Sequence, residues 1–160
     1  VLRQAQDGRL RGMSWLPIES FPMPLRPFHL AFPVDDLTAA RDFYGRIIGC
    51  AEGRSSERWV DFDFFGHQIV THLVARSGDA GSNPVDGHDV PVPHFGLVLT
   101  MADFDALAAR LEDAGVEFGI APYTRFAGEA GEQKTMFVRD PAGNALEFKA
   151  FADDAMLFAT

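Results

Sequence analysis

Residues 135–150 read TMFVRDPAGNALEFKA, and this stretch decides how the surrounding chain folds. Its centre, Asp140-Pro141-Ala142-Gly143, contains the residue types that favour a tight turn. Proline fixes its own backbone angle, and glycine tolerates left-handed geometry. The two flanks, 135–139 and 145–150, carry apolar side chains suited to strands. The pattern therefore predicts a two-stranded hairpin near the end of the chain.

Working outward from this hairpin, the same series of elements is found twice. Each half opens with a short apolar strand, over 27–32 and over 93–99, and continues into an amphipathic helix. The spacing of apolar residues predicts these helices over about 37–48 and 104–114, each followed by a glycine. Alternation over 60–64 predicts a strand that turns at Gly66 and returns over 68–74. Each half therefore has the predicted order β-α-β-β-β.

The predicted repeat divides the chain. We expect an N-terminal arm over 1–25, with Met13 as an alternative start, and a C-terminal tail over 153–160. The two modules are expected over 26–75 and 93–152, joined by a connector over 76–92 that is rich in Gly, Asp and Pro. A glycine-containing piece over 122–133 is expected to be a mobile loop that covers a site.

Composition excludes several classes of protein. The chain has 160 residues, is 47% hydrophobic and carries a formal net charge of −9. An acidic chain has no general attraction for phosphate backbones or anionic lipid, so we expect neither nucleic-acid nor membrane binding. Cys50 is the only cysteine, which rules out an internal disulfide and fits a cytoplasmic protein.

Strand alternation assigns three polar side chains to one kind of sheet face. In the opening strands, His29 and His94 lie opposite the apolar residues, and each is followed two positions later by a small residue. Those small residues, Ala31 and Gly96, are expected to leave room for a ligand. In the last strand, Glu147 lies on the face opposite Leu146 and Phe148, where a carboxylate is costly without a partner.

We therefore expect an α+β fold in which two βαβββ modules form a curled mixed sheet with a concave metal-binding face. His29, His94 and Glu147 would converge there as two imidazoles and a carboxylate, a set that holds Fe(II) with coordination positions open. A lone strand histidine is more often a solvent-facing residue, and a lone strand glutamate is usually exposed. Three such residues at corresponding places in a repeat favour the metal site.

These motifs resemble a known group of proteins. The stretches 29–37, 40–44 and 48–50 are similar to the opening of a vicinal oxygen chelate module, and 137–148 is similar to its closing motif. That superfamily includes glyoxalase I, extradiol ring-cleaving dioxygenases and bleomycin-resistance proteins. The resemblance covers about residues 26–151. The stretches 60–68 and 131–137 resemble small members described as predicted extradiol dioxygenases.

The resemblance implies metal ligands at His29, His94 and Glu147. Fe(II) is the expected metal, with Mn, Ni, Co or Zn as alternatives. Glyoxalase I carries a fourth ligand, a glutamate, at a position that aligns here with Val70. His72 lies two residues further along and on the same face. We therefore expect it to line the concave face as a catalytic proton-transfer group rather than to bind metal.

Further positions concern the substrate. Extradiol enzymes usually carry a tyrosine at the position of Phe137, which departs from the pattern for catechol cleavage. We expect Phe137 and Lys149 to contact the substrate, Lys149 by neutralising an anion. Lys134 and Arg139 are expected to be ordinary surface cations.

Three functions remain open from the sequence. The first is a metal-dependent dioxygenase of a small substrate with vicinal oxygens, such as a catechol-type aromatic. The second is a glyoxalase-like isomerase or lyase that uses a redox-inert metal. The third is a non-catalytic binding protein of the bleomycin-resistance type. In each case the partner is a small molecule and the protein is expected to be a homodimer, with the site formed within one chain or across two.

Overall fold

The computed structural model describes residues 25–75, 81–85 and 87–159. The expected N-terminal arm with its alternative start at Met13, apart from residue 25, lies outside the described residues, as does part of the connector. No helix in these three ranges is long and apolar enough to cross a membrane.

The first module is a four-stranded sheet with one helix. Its strands are β1 (His29–Val34), β2 (Ala51–Ser55), β3 (Trp59–Phe64) and β4 (His67–Leu73). They are arranged in the order β1-β4-β3-β2, with β1 parallel to β4 and the other neighbours antiparallel. The helix, α1, is α-helical over Leu37–Ala40 and continues with π-helical geometry over Arg41–Ile48.

The bounds of α1 match the predicted range because both ends carry strong local signals. Asp36 accepts hydrogen bonds from the backbone N–H groups of Thr38 at 2.7 Å and Ala39 at 3.1 Å, which caps the first turn. Gly49 ends the helix with φ at +97°, a left-handed conformation that glycine adopts without strain. The buried stripe of α1 faces the sheet and includes Phe43 and Tyr44.

The connector between the modules carries more structure than the sequence indicated. Strands β5 (Gly81–Val85) and β6 (His88–Val92) form an antiparallel hairpin within it. These strands were not predicted, because the segment is rich in proline and glycine, and both residues are depleted in strands.

The second module repeats the first in its order of elements. Its strands are β7 (His94–Leu99), β8 (Phe118–Arg125), β9 (Gln133–Arg139) and β10 (Ala145–Phe151), and its helix is α2 (Met101–Asp113). The strands are arranged in the order β7-β10-β9-β8, with β7 parallel to β10. The predicted hairpin between β9 and β10 is confirmed, with the turn at Asp140–Gly143 closed by a hydrogen bond from the Gly143 N–H to the Asp140 carbonyl.

Two predicted boundaries in this module were wrong. Helix α2 begins three residues before the expected start, because Thr100 caps it and exchanges hydrogen bonds with Asp103 at 2.7 and 3.1 Å. The expected loop over 122–133 begins later, because β8 continues to Arg125 in a pairing with β9. The expected tail also contains a short 3₁₀ helix, Asp154–Phe158.

A single core joins the two modules, and it lies on the faces that carry the helices. Phe32 of the first module packs against Phe95 of the second at an interplanar angle of 40°, with ring centroids 4.8 Å apart. The rings of Phe64 in the first module and Phe148 in the second also pack together, with centroids 6.2 Å apart. Burying an aromatic side chain of this size contributes about 1.5–3 kcal/mol. The modules are therefore held together by hydrocarbon packing between their helix-bearing faces.

A polar contact crosses the same interface. The Tyr44 hydroxyl donates a hydrogen bond to the Asp140 carboxylate at 2.9 Å, and Asn144 donates to the same carboxylate and to the Pro33 carbonyl. Burial raises the pKa of Tyr44 well above its usual value, and the Asp140 charge adds to this effect. Tyr44 therefore keeps its proton and serves as a permanent donor to the turn of the second module.

The eight strands of the two modules form two separate sheets within one chain. The expected α+β class and mixed sheets are observed. Among the described residues the strands of the two modules are hydrogen-bonded as two separate sheets, so the predicted single curled sheet with a concave metal-binding face is not confirmed. Within the part of the chain that the structure describes, β1 and β7 are edge strands, each hydrogen-bonded to one neighbour.

The Cys50 thiol is expected to be inert in the folded protein. Burial raises its pKa to about 12, the nearby Asp63 carboxylate adds to this, and Arg110 opposes it. At pH 8 only about one thiol in ten thousand would be ionised, and the thiolate is the reactive form. We expect no labelling by an aromatic disulfide reagent in buffer at pH 8 and one equivalent after unfolding in guanidinium chloride. Rapid stoichiometric labelling of the native protein would contradict this expectation.

Candidate functional site

The second module places an imidazole against a carboxylate. His94 lies at the start of β7 and Glu147 in the middle of β10, on the face of the sheet that points away from the helices, here called the outer face. The Nε2 atom of His94 lies 3.2 Å from a carboxylate oxygen of Glu147. The structure thus brings together two of the three side chains that the sequence predicted to meet.

The backbone fixes how His94 presents its ring. Its Nδ1 atom lies 2.6 Å from the Pro91 carbonyl oxygen. A carbonyl only accepts, so Nδ1 carries the proton and Nε2 of a neutral ring carries a lone pair. That lone pair faces an anionic oxygen. Two electron-pair donors held this way are stabilised by a cation between them, which is either a proton or a metal ion.

Glu147 is held by further contacts at its other carboxylate oxygen. The Thr135 hydroxyl donates to it at 2.9 Å, and the Lys149 ammonium lies 3.3 Å away. The Glu147 side chain is only 12% exposed, and a carboxylate at that depth needs such partners. Lys149 was predicted from the sequence and Thr135 was not, although strand alternation places both residues on the outer face.

Phe137 packs beside His94 and Glu147. It is buried, and its ring stands edge-on to His94 with centroids 5.3 Å apart. The positively polarised edge of one ring against the face of another fixes the orientation of both. Phe137 also stands opposite Glu147 in the register of β9 and β10. The ring thus lies beside the two candidate metal ligands, His94 and Glu147. Contact of Phe137 with the substrate stays a prediction.

Gly96 has a different reason to be small from the one expected. A Cβ atom added there would lie 1.6 Å from the Glu147 carbonyl oxygen, so the backbones of β7 and β10 approach too closely for any side chain. The absent side chain is thus a requirement of strand packing. The expectation that Gly96 also leaves space for a ligand stays a prediction.

His29 is held on the outer face of the first sheet, in a separate environment. It is exposed, and its Nδ1 atom lies 2.7 Å from the side-chain oxygen of Gln68. No three His, Cys, Asp or Glu side chains within 25–75, 81–85 and 87–159 of one chain are grouped as a metal site would require. The predicted meeting of His29 with His94 and Glu147 is therefore not made by the described part of a single chain.

The fourth ligand position of glyoxalase I is apolar here. Val70 stands opposite Ala31 in the first sheet, as Glu147 stands opposite Gly96 in the second. The equivalence of Val70 with Glu147 inferred from the sequence is confirmed by this register. His72 lies two residues along β4 on the same face and is exposed, so its role as a proton-transfer group stays a prediction.

Lys134 and Arg139, which the sequence predicted to be surface cations, each have a partner within the second module. Lys134 pairs with the Asp105 carboxylate at 2.6 Å, and Arg139 donates to the Gly143 carbonyl at 2.8 Å. Arg139 stands opposite Ala145 in the register of β9 and β10, on the same face as Phe137, and its role as an ordinary surface cation stays a prediction.

One aromatic contact near the site was missed by sequence analysis. Tyr123 of β8 is in register with Thr135, so both side chains lie on the outer face. The ring of His88, from the β5–β6 hairpin, packs on Tyr123 with centroids 5.1 Å apart. Both residues fell in segments that were expected to be a loop and a connector, and no local pattern assigned them to a common face.

Comparison with known proteins places this geometry in a family. A model of the glyoxalase/bleomycin resistance protein/dioxygenase superfamily matches residues 26–148, which is most of the chain. The chain belongs to this superfamily. The resemblance inferred from the opening and closing motifs is thereby confirmed. Search of curated proteins gave no significant match.

Solved structures of the superfamily share the fold. A glyoxalase/bleomycin resistance protein/dioxygenase from Alicyclobacillus acidocaldarius is 35% identical, with a TM-score of 0.71, covering 86% of this chain and 99% of that one. A genomically encoded fosfomycin resistance protein from Listeria monocytogenes is 19% identical, with a TM-score of 0.63, over 84% and 98%. A lactoylglutathione lyase from Agrobacterium tumefaciens is 20% identical, with a TM-score of 0.58, over 86% and 98%. The last two show the common fold alone.

Proposed function

We propose that the protein is a metal-dependent enzyme that binds a small molecule through two neighbouring oxygens, with dioxygenase activity as the leading reaction. One observation carries the proposal. The Pro91 carbonyl turns the lone pair of His94 Nε2 toward the Glu147 carboxylate, 3.2 Å away. This arrangement is what a neutral imidazole needs in order to ligate a metal.

The donor set fits a divalent cation of the first transition row. Imidazole nitrogen together with carboxylate oxygen suits Fe(II), and also Mn, Ni, Co and Zn. A bound metal would supply a Lewis acid that polarises two adjacent substrate oxygens. Thr135 keeps the second oxygen of Glu147 occupied, so the first oxygen remains directed at His94.

The third ligand in this proposal is His29 from a second copy of the chain. In the described part of one chain the two modules share a core on their helix-bearing faces, and His29 is not grouped with His94 and Glu147. Strands β1 and β7 are edges, and each begins with a histidine on the outer face. A homodimer that places β1 of one copy beside β7 of the other would complete the set of ligands twice.

The other side chains would act on the substrate rather than on the metal. Lys149 projects from the same face of β10 as Glu147 and would neutralise an anionic substrate. Phe137 provides an apolar wall beside His94. His72 would enter from the first module of the partner copy, where it is exposed and free to move a proton.

A second candidate, a glyoxalase-like isomerase or lyase, is favoured by the nature of Phe137. Its ring carries no hydroxyl next to the ligands, and proton transfer with a redox-inert metal does not need one. The metal found in purified protein and oxygen uptake on a panel of catechols distinguish the two. Iron with oxygen uptake supports the dioxygenase, whereas Ni or Zn without uptake supports the second candidate. If the purified protein retains no metal, the non-catalytic binding protein is supported instead.

Complementation between two defective chains tests the shared site. His29→Ala and Glu147→Gln each remove one ligand, and each variant alone is expected to retain no metal. In a mixed dimer, one site loses both residues and the other keeps all three. If half of the dimers are mixed, co-expression should restore about a quarter of the wild-type metal content. Co-expressed chains that remain metal-free would refute the shared site, and full metal content in either single variant would refute that ligand.

A further inference from the structure

We propose that Gln68 and Asp61 are positioning residues that fix which ring nitrogen of His29 carries the proton. The consequence for metal binding rests on the function proposed above, but the position of the proton does not. The buried Asp61 carboxylate fixes the orientation of the Gln68 amide, and the amide in turn fixes the position of the proton on the His29 ring.

The starting point is Asp61 on β3. It is 7% exposed and lies on the outer face of the first sheet, one strand away from Gln68 on β4. Its carboxylate accepts a hydrogen bond from the Gln68 side-chain nitrogen at 3.1 Å, and the Arg54 guanidinium lies 3.4 Å from the same oxygen. A carboxylate only accepts, so the amide nitrogen of Gln68 must face Asp61. The opposite amide orientation would set two oxygens against each other.

The orientation of Gln68 then determines the state of His29. With its nitrogen toward Asp61, the amide presents its oxygen to His29 Nδ1 at 2.7 Å. An amide oxygen also only accepts, so Nδ1 must carry the proton. Nε2 of the neutral ring is then left with its lone pair, which is the form that a metal requires.

Both modules place a hydrogen-bond acceptor at Nδ1 of their histidine, but the two acceptors differ. The second module uses the Pro91 backbone carbonyl for His94, at 2.6 Å. The first module places Gln68 directly opposite His29, where the second has Ala145 opposite His94. This difference at matching register positions is explained if both histidines need a proton on Nδ1 and only one of them has a backbone acceptor.

Nitrogen-detected correlation spectra of the metal-free, full-length protein report the proton position directly. They are recorded at a pH where neutral imidazole predominates. Both His29 and His94 are expected in the Nδ1–H form in the wild type. Gln68→Leu removes the acceptor, so His29 should change mainly to Nε2–H, the form that imidazole prefers in water. His94 is the control in the same spectrum and should not change.

Two further variants separate the roles of Gln68 and Asp61. Asp61→Leu leaves the Gln68 amide free to rotate, so His29 should become a mixture of the two forms. The transposed pair Asp61→Asn with Gln68→Glu keeps a donor on β3 and an acceptor beside His29. It should therefore restore the Nδ1–H form. Gln68 is partly exposed, so Gln68→Leu keeps the test valid even if Asp61→Leu fails to fold.

Zn(II) competition titrations on the same proteins measure the consequence. We expect Gln68→Leu to bind Zn(II) about 10- to 100-fold more weakly, the usual effect of losing the partner of a ligating histidine. The transposed pair should recover most of this loss. The proposal is overturned if wild-type His29 is in the Nε2–H form or if Gln68→Leu leaves its form unchanged. A changed form with unchanged Zn(II) affinity would instead reject His29 as a ligand and keep its positioning by Gln68.

Discussion

Replacing Glu147 by Gln is expected to remove metal from the protein while leaving the fold intact. The new amide can still accept from the Thr135 hydroxyl with its oxygen and can donate with its nitrogen to His94 Nε2. The local hydrogen bonds are therefore kept, but the lone pair of His94 is consumed and the anionic ligand is lost. Loss of an outer partner alone costs 10- to 100-fold in metal affinity, so we expect more than about a hundredfold here.

Inductively coupled plasma mass spectrometry and Zn(II) titration measure this loss, and thermal unfolding checks the fold. Glu117→Gln is the matched control, because it makes the same chemical change at an exposed position before β8. The control should retain wild-type metal content. Equal retention by Glu147→Gln would show that Glu147 is not a ligand, and a large loss of thermal stability would show that its role is structural.

Replacing Gly96 by Ala is expected to have the largest effect on stability. The added Cβ would lie 1.6 Å from the Glu147 carbonyl oxygen and 2.6 Å from its carbonyl carbon. Both atoms are backbone, so no side-chain rotation relieves the clash. Strands β7 and β10 would have to separate, which breaks their parallel pairing and exposes part of the shared core. We expect a loss of more than about 4 kcal/mol in the free energy of unfolding.

Gly119 provides the matched control for this substitution. It also lies in a strand, β8, but the nearest atom to an added Cβ is the Phe137 carbonyl oxygen at 3.7 Å, an ordinary contact distance. Gly119→Ala should therefore change stability by less than about 1 kcal/mol, and the lower entropy of the unfolded chain favours a gain. Urea denaturation of both variants compares them. A similar small effect at both positions would contradict the close approach at Gly96.

Local signals allowed much of the fold to be predicted. Asp36 and Gly49 fixed the ends of α1, and the turn Asp140–Gly143 fixed the β9–β10 hairpin, because each acts through atoms only a few residues away. The start of α2 was misplaced because Thr100 caps the helix by accepting from the Asp103 backbone N–H, so Asp103 lies inside the first turn. The β5–β6 hairpin was missed because its pairing overrides poor strand propensity.

The residue pattern was enough to predict the repeated modules, the superfamily and the sheet face on which His29, His94 and Glu147 lie, because strand alternation is a property of the backbone. Which of these residues meet depends on strand pairing and module packing. His94 meets Glu147 because β7 pairs with β10 inside the second module, whereas His29 lies in the sheet of the first module. Such contacts depend on how separate elements pack, and no residue pattern within one element specifies that packing.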